Sequence, residues 1–237
     1  MEKGENMVVK YADIFGNRMA YRIYGAGKVD IVLMTGLGGC IGEYEKLAQH
    51  LAKKHTVLCY ERFGCGSSEE TRLERTPVNI ARECAELLKY AAHEKKIILV
   101  AYSQGGLYAD QYARLYPDQV EKVSLLDPLS PEDDLFGKRL TAEEYRKSGV
   151  DKTKGLRTDS GFPDIPLYLV THSSDIVVEE IMTFGNADRE TAVKVEALWQ
   201  EVMKGYLMLS GQSRYFCAKN SSHAIHLTDI DLVAELL

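Results

Sequence analysis

Nowhere in these 237 residues does an apolar run approach the roughly 20 residues needed to cross a bilayer, so no membrane role is expected. Net charge is −6 and no strongly basic cluster occurs, which argues against nucleic acid as a partner. Cysteine is scarce and unpaired in pattern. Cys40, Cys59, Cys65, Cys84 and Cys217 are odd in number and contain no C-x-x-C. Reduced thiols in a cytoplasm are the expectation. No cluster of Cys or His has metal-ligand spacing, so neither a metal nor another cofactor is expected. The opening residues, Met1 to Asn6, lack the apolar segment of a secretory signal. No repeat, low-complexity tract or linker divides the chain. One domain over 1–237 is expected, because single α/β domains run to about 250 residues.

What is present is an ordinary globular composition, 45% hydrophobic and 27% charged. Val8 to Ile14 and Arg18 to Tyr24 read as two strands of a hairpin around Phe15-Gly16-Asn17. Asp30 to Met34 and Thr56 to Tyr60 are almost continuously apolar, as in a parallel sheet covered on both faces, and are expected to pair. Further strands are expected at Ile97–Ala101, Val123–Leu126, Leu167–Val170 and Arg214–Ala218. Helical spacing marks Tyr44 to Leu51, then Ile80 to Ala91 behind a Thr76 cap and Pro77, and then Gly106 to Tyr116. It also marks a long helix with Val195, Leu198, Trp199, Val202 and Tyr206 on its apolar face, and a final helix from Ile230. This is an α/β pattern, a mostly parallel doubly wound sheet with an N-terminal antiparallel hairpin. Residues 131–164 interrupt the alternation with a polar, charge-rich stretch lacking a strand. It is expected to be a short lid over the carboxyl ends of the strands, with one helix near Ala142 to Lys147.

Ala101-Tyr102-Ser103-Gln104-Gly105 joins an apolar strand to a helix. A serine flanked two residues away by small side chains at such a junction is a nucleophile elbow. It would present the Ser103 hydroxyl at the carboxyl edge of the sheet and aim the Gln104 N–H at whatever the serine attacks. A serine hydroxyl needs a base, and the base an orienting carboxylate. Of six histidines only His172, His223 and His226 follow Ser103, and His223 lies in the loop between the last strand and the last helix. His226 is expected to frame that loop; His50, His55 and His93 are expected at the surface. Asp127 and Asp175 each follow a strand, and spacing alone does not separate them as the acid. Gly36-Leu37-Gly38-Gly39 lets the backbone turn N–H groups inward, and Leu37 is the candidate second oxyanion donor. No Lys-Ser/Thr follows these glycines, so a nucleotide P-loop is disfavoured. Cys65, in the Glu61 to Ser68 loop, has no histidine partner in sequence order, and structural shaping is expected of that loop.

The segments Tyr60 to Ser68, Ala101 to Gly106, Leu125 to Pro128 and Ser222 to Leu227 resemble the recurring stations of the α/β-hydrolase superfamily, and the resemblance covers nearly the whole chain. It implies Ser103 as nucleophile, His223 as base and Leu37 with Gln104 as the oxyanion hole. It leans toward Asp127 over Asp175 as the acid, by likeness to a subgroup of small esterase-like members. Two positions depart from the family pattern: Ala101 stands for a glycine, and Thr35 for the histidine before the oxyanion glycine. A serine at the elbow disfavours hydrolases that work through an alkyl-aspartate ester. The implied activity is hydrolysis of a small carboxylic ester or related acyl compound. An acyltransferase, a C–C bond hydrolase or a non-catalytic binding protein of the same fold are the alternatives.

Overall fold

The computed structural model describes residues 8–91, 95–129 and 161–237. Eight strands form one sheet in the order β1-β2-β4-β3-β5-β6-β7-β8. They are β1 Lys10–Ile14, β2 Asn17–Tyr24, β3 Ile31–Met34, β4 Val57–Tyr60, β5 Ile97–Tyr102, β6 Val120–Leu126, β7 Leu167–Thr171 and β8 Ser213–Cys217. β1 and β2 form the antiparallel hairpin, and β2 also runs antiparallel to β4. From β4 across to β8 every pairing is parallel, including the expected β3–β4 pair.

The apolar strands are continuous because both faces of the sheet are covered. Val32 and Met34 of β3 face one core cluster, Ile31 and Leu33 the other. The first cluster is closed by α2 (Pro77–Tyr90) and α3 (Gly105–Leu115), through Ile80, Cys84, Leu88, Leu107 and Tyr112. The second is closed by α1 (Glu45–Leu51) and the C-terminal helix Ile230–Glu235, through Leu47, Leu51 and Val233. α2 starts as its sequence predicts: Thr76 Oγ1 accepts the Asn79 N–H at 3.2 Å and Pro77 opens the first turn. Such a cap stabilises a helix by about 1 kcal/mol.

The remaining α-helices among the described residues are α4 (Ser174–Gly185), α5 (Arg189–Lys204) and a single turn, α6 (Ile225–Thr228); Ile230–Glu235 is α7. α4 is not predicted by the sequence pattern. Its first turns carry Ile176-Val177-Val178, β-branched residues that lose side-chain freedom in a helix, and Ser173 makes no side-chain cap. Packing against α5 holds it instead. α5 turns a different face inward than its apolar spacing suggests. Ala192, Glu196, Gln200 and Met203 are buried, while Leu198 stays exposed. Most of the expected lid, 131–164, and its helix near 142–147 lie outside the described residues, as does His93. At the end of that stretch, Asp164 accepts the Ser210 hydroxyl at 3.0 Å and the Gly211 N–H at 2.9 Å. No helix among the described residues is long and apolar enough to cross a membrane.

Candidate active site

The turn after β5 is tight enough to force Ser103 into the left-handed region, at φ +52°. Only a strongly determined backbone holds a non-glycine residue there. The determinants are local. A Cβ on Gly105 would strike the Met34 and Thr35 carbonyls, and one on Gly106 would come within 2.7 Å of Pro128. The Ser103 carbonyl accepts the N–H groups of Gly106 (3.0 Å) and Leu129 (2.9 Å), locking the elbow to the end of β6. Ala101 is fully buried in β5, so the fold accommodates its methyl.

Ser103 Oγ lies 3.0 Å from His223 Nε2, and His223 Nδ1 lies 2.6 Å from Asp127 Oδ2. Asp127 is the residue after β6; it too has a positive φ, +46°, and its N–H is donated to the Val170 carbonyl. The loop that carries His223 is anchored by a bond from the Ser173 N–H to the Ser221 carbonyl, 2.9 Å, and by the Thr228 hydroxyl on Ser221 Oγ, 2.7 Å. Both nitrogens of His223 are therefore engaged, by Ser103 and by Asp127. Asp175 is placed elsewhere: it stands exposed in the first turn of α4 rather than in a loop facing the imidazole. Burial pushes the Asp127 carboxyl up, but hydrogen bonds from His172 and His223, with their charge, outweigh it and hold the group below the usual carboxylate range.

His172 and Glu196 join this cluster. His172 Nδ1 is 2.7 Å from both Asp127 oxygens, and its Nε2 is 2.9 Å from both Glu196 oxygens. The rotation of α5 that buries Glu196 and Gln200 is explained here: Glu196 is drawn in to meet His172, and Gln200 Nε2 donates to it at 2.9 Å. Trp199 of α5 then stands 5.8 Å from the His223 ring, centre to centre. His226 is fully buried, stacked on Tyr44 at 4.5 Å and tilted against Tyr102 at 4.0 Å, with Nε2 3.1 Å from Glu43.

The glycine loop after β3 abuts the elbow. A Cβ on Gly36 would lie 3.0 Å from the Tyr102 ring and 3.4 Å from Ser103 Cβ. Thr35, in place of a histidine, is held by a buried arginine. Arg62 Nη1 donates to the Thr35 carbonyl (2.7 Å) and hydroxyl (2.6 Å), and Nη2 to the Gly36 carbonyl (2.5 Å). In a trans peptide the C=O and the next N–H point in opposite directions, so turning the Gly36 carbonyl toward Arg62 turns the Leu37 N–H away from it. Glu61 shapes the neighbouring loop by accepting the N–H groups of Ile41 (3.0 Å) and Ser67 (2.5 Å). Among the described residues no group of three or more side chains is arranged to hold a metal ion.

Residues 31–156 match the alpha/beta hydrolase fold family, more than half of the chain. The chain belongs to that family. This α/β-hydrolase is 27% identical over 202 residues to the uncharacterized protein YqjL of Bacillus subtilis, covering 85% of this chain and 79% of that one. It is 33% identical over 124 residues to a proline iminopeptidase of Thermoplasma volcanium, which covers 51% of this chain and 42% of the peptidase. An alpha/beta hydrolase fold protein from Chitinophaga pinensis superposes with a TM-score of 0.71 at 12% identity, covering 98% of this chain and 96% of that one. The family has hydrolases among its members, and the reaction this chain performs is a separate matter from its fold.

Sequence reasoning over this α/β-hydrolase names Ser103, His223, Asp127, Asp175, Leu37 and Gln104, and misses His172, Glu196 and Arg62. His172 has one legible signal, its place one residue after an apolar strand. Glu196 has none, since it sits among the polar positions of an amphipathic helix.

Proposed function

We propose that this chain is a serine hydrolase that cleaves a small carboxylic ester or related acyl compound through an acyl-enzyme on Ser103. The observation that supports it is the continuous contact Ser103–His223–Asp127, at 3.0 and 2.6 Å, with the serine on a strained turn. His223 Nε2 takes the hydroxyl proton as Oγ bonds the carbonyl carbon. Asp127 keeps Nδ1 protonated and balances the imidazolium that forms. The N–H groups of Gln104 and Leu37 receive the oxyanion. Collapse of the tetrahedral adduct breaks the ester bond, and His223 returns its proton to the leaving alcohol. A water molecule, deprotonated by His223, then bonds the acyl carbon; the acyl–Oγ bond breaks, the acid leaves, and His223 returns the proton to Ser103 Oγ. Leu37 and Trp199 offer apolar surface for a small acyl group, and residues 131–164 are the candidate cover of a single domain. A cytoplasmic setting and a small-molecule partner, rather than nucleic acid or membrane, complete the reading.

A fluorophosphonate probe with a panel of nitrophenyl esters tests it. Labelling and turnover should both depend on Ser103 and His223, with Ser103→Ala lowering turnover by about 10⁴ or more. Unchanged turnover in that variant sinks the assignment. Transfer of the acyl group to an added alcohol in preference to water would recast the chain as an acyltransferase using the same residues.

A further inference from the structure

Beside the reacting groups, a buried histidine takes no part in the proton transfer. His172 follows β7, and its side chain is wholly inaccessible to solvent. Each of its ring nitrogens faces a carboxylate, Asp127 on one side and Glu196 on the other. A neutral imidazole has one N–H and one lone pair. In either tautomer the lone pair would point at carboxylate oxygens less than 3 Å away. Two N–H groups satisfy both partners, and charge-assisted bonds of this length are the strong kind.

Among the described residues, no other cation is recorded in contact with these two carboxylates. Glu196 also accepts the Ser174 hydroxyl (2.7 Å) and the Gln200 amide (2.9 Å), both neutral. Asp127 also accepts the His172 main-chain N–H (3.2 Å) and His223 Nδ1 (2.6 Å). The Trp199 ring meets the imidazole edge-on at 5.1 Å, and the Cys217 thiol donates to the His172 carbonyl at 3.5 Å. Without a charge on His172, two buried carboxylates would lie on one side of His223. Their negative charges would face each other uncompensated in a site closed to solvent.

We propose that His172 is a positioning residue, an imidazolium locked between Asp127 and Glu196, which fixes the Asp127 carboxylate for His223 and offsets the second buried negative charge. This rests on the serine-hydrolase reading. Glu196 is the anchor: it supplies the carboxylate that keeps the second N–H in place. Burial alone would push His172 down, but the hydrogen bonds it donates to Asp127 and Glu196, with their charges, raise it to about 9. Activity should therefore carry an alkaline limb near that pH, when His172 gives up a proton and a lone pair turns toward a carboxylate.

Two measurements decide it. In ¹⁵N-histidine-labelled Ser103→Ala protein, the resonance lost on adding His172→Gln should show both ring nitrogens protonated at neutral pH and titrate near 9. A single-N–H tautomer at that site, as when Glu196 carries the proton, overturns the proposal. This readout needs no turnover and survives any failure of the serine-hydrolase reading, which an active Ser103→Ala would reveal on its own. In kcat/KM profiles against a nitrophenyl ester, the isosteric Glu196→Gln should move the alkaline limb down by about one pH unit or more. His172→Gln should lower kcat by about 10- to 100-fold with KM little changed, because the loss is one of alignment. A Glu196→Gln profile superimposable on the parent overturns the proposal even if His172→Gln fails to fold.

Discussion

Two fully buried histidines flank His223, one on each side, and the fold holds them in opposite states. His172 lies between two carboxylates that are buried with it, and is raised to about 9. His226 lies under Tyr44 and Tyr102, with one carboxylate, Glu43, that is itself part-exposed; burial, then the neighbouring His223, lowers it to about 4. Its Nδ1 has no hydrogen-bond partner. Equal burial thus gives a cation on one side and a neutral ring on the other. What decides is how many negative charges were desolvated along with the imidazole. The cationic side holds the acid that serves His223; the neutral side packs the aromatic floor beneath the loop.

The sharpest way to break this contrast is to remove the carboxylate shared by His172 and His223. Asp127→Asn should keep the shape but favour the wrong His223 tautomer, lowering kcat by about 10⁴, as the analogous change does in serine proteases. Glu43→Gln, the equivalent change on the other side, should alter kcat by no more than about threefold, since no proton transfer runs through His226. Steady-state kinetics on one nitrophenyl ester measure both. Similar losses in the two variants would mean that the sides are not functionally distinct.

Stability gives the next largest difference. His172→Leu strips the partner from two buried carboxylates at once, and breaking a buried pair this way costs about 3–5 kcal/mol. His226→Phe keeps the ring volume and the stacking and gives up only the bond to Glu43, for about 1.5 kcal/mol or less. Urea unfolding of the two variants in the Ser103→Ala background reads the difference. An equal cost would show that His172 is held by packing rather than by charge.

Much of this was open to a reader of the chain, and the closed part has a physical reason. The central strands β3, β4 and β5 are visible as apolar runs, because the middle of a sheet covered on both faces needs apolar residues at every position, while the edge hairpin β1–β2 is visible by its turn. The elbow at Ser103 is visible because its geometry demands small residues, and Gly105 is where a Cβ would meet backbone. Chain order, with a place in the loop between the last strand and the last helix, singles out His223. The choice between Asp127 and Asp175 is not visible, for both follow strands; it depends on which strand end β6 or β7 brings under the imidazole. Glu196 is hidden by a subtler rule. Amphipathic spacing finds the apolar face of α5, at Val195, Leu198, Trp199 and Val202, but the helix is oriented by an ionic partner from a different strand. Local pattern carries no trace of a contact made between residues 172 and 196 in space. Arg62 escapes for the same reason: nothing near it in sequence shows that its guanidinium will grip the Thr35 and Gly36 carbonyls.

The smallest expected effect separates the two histidines by the sign of their response to pH. His172 has a folded value near 9 against an ordinary 6.5. Its contribution is fully present below about 6.5 and is lost as pH rises through 9. His226 has a folded value near 4 against the same 6.5. Folding keeps it neutral, so its contribution is present above about 6.5 and is lost as pH falls through 4. Tm plotted against pH should thus fall on both flanks. His226→Phe should lessen the acid flank, which Asp127 shares, and leave the alkaline flank unchanged, while His172→Gln should flatten the alkaline flank. In a chain of this size each kcal/mol moves Tm by about 2–4 °C, so scanning calorimetry at fixed ionic strength resolves the two flanks. If His226→Phe leaves the acid flank as steep as before, its imidazole is protonated in the folded protein, and the contrast between the two sides fails.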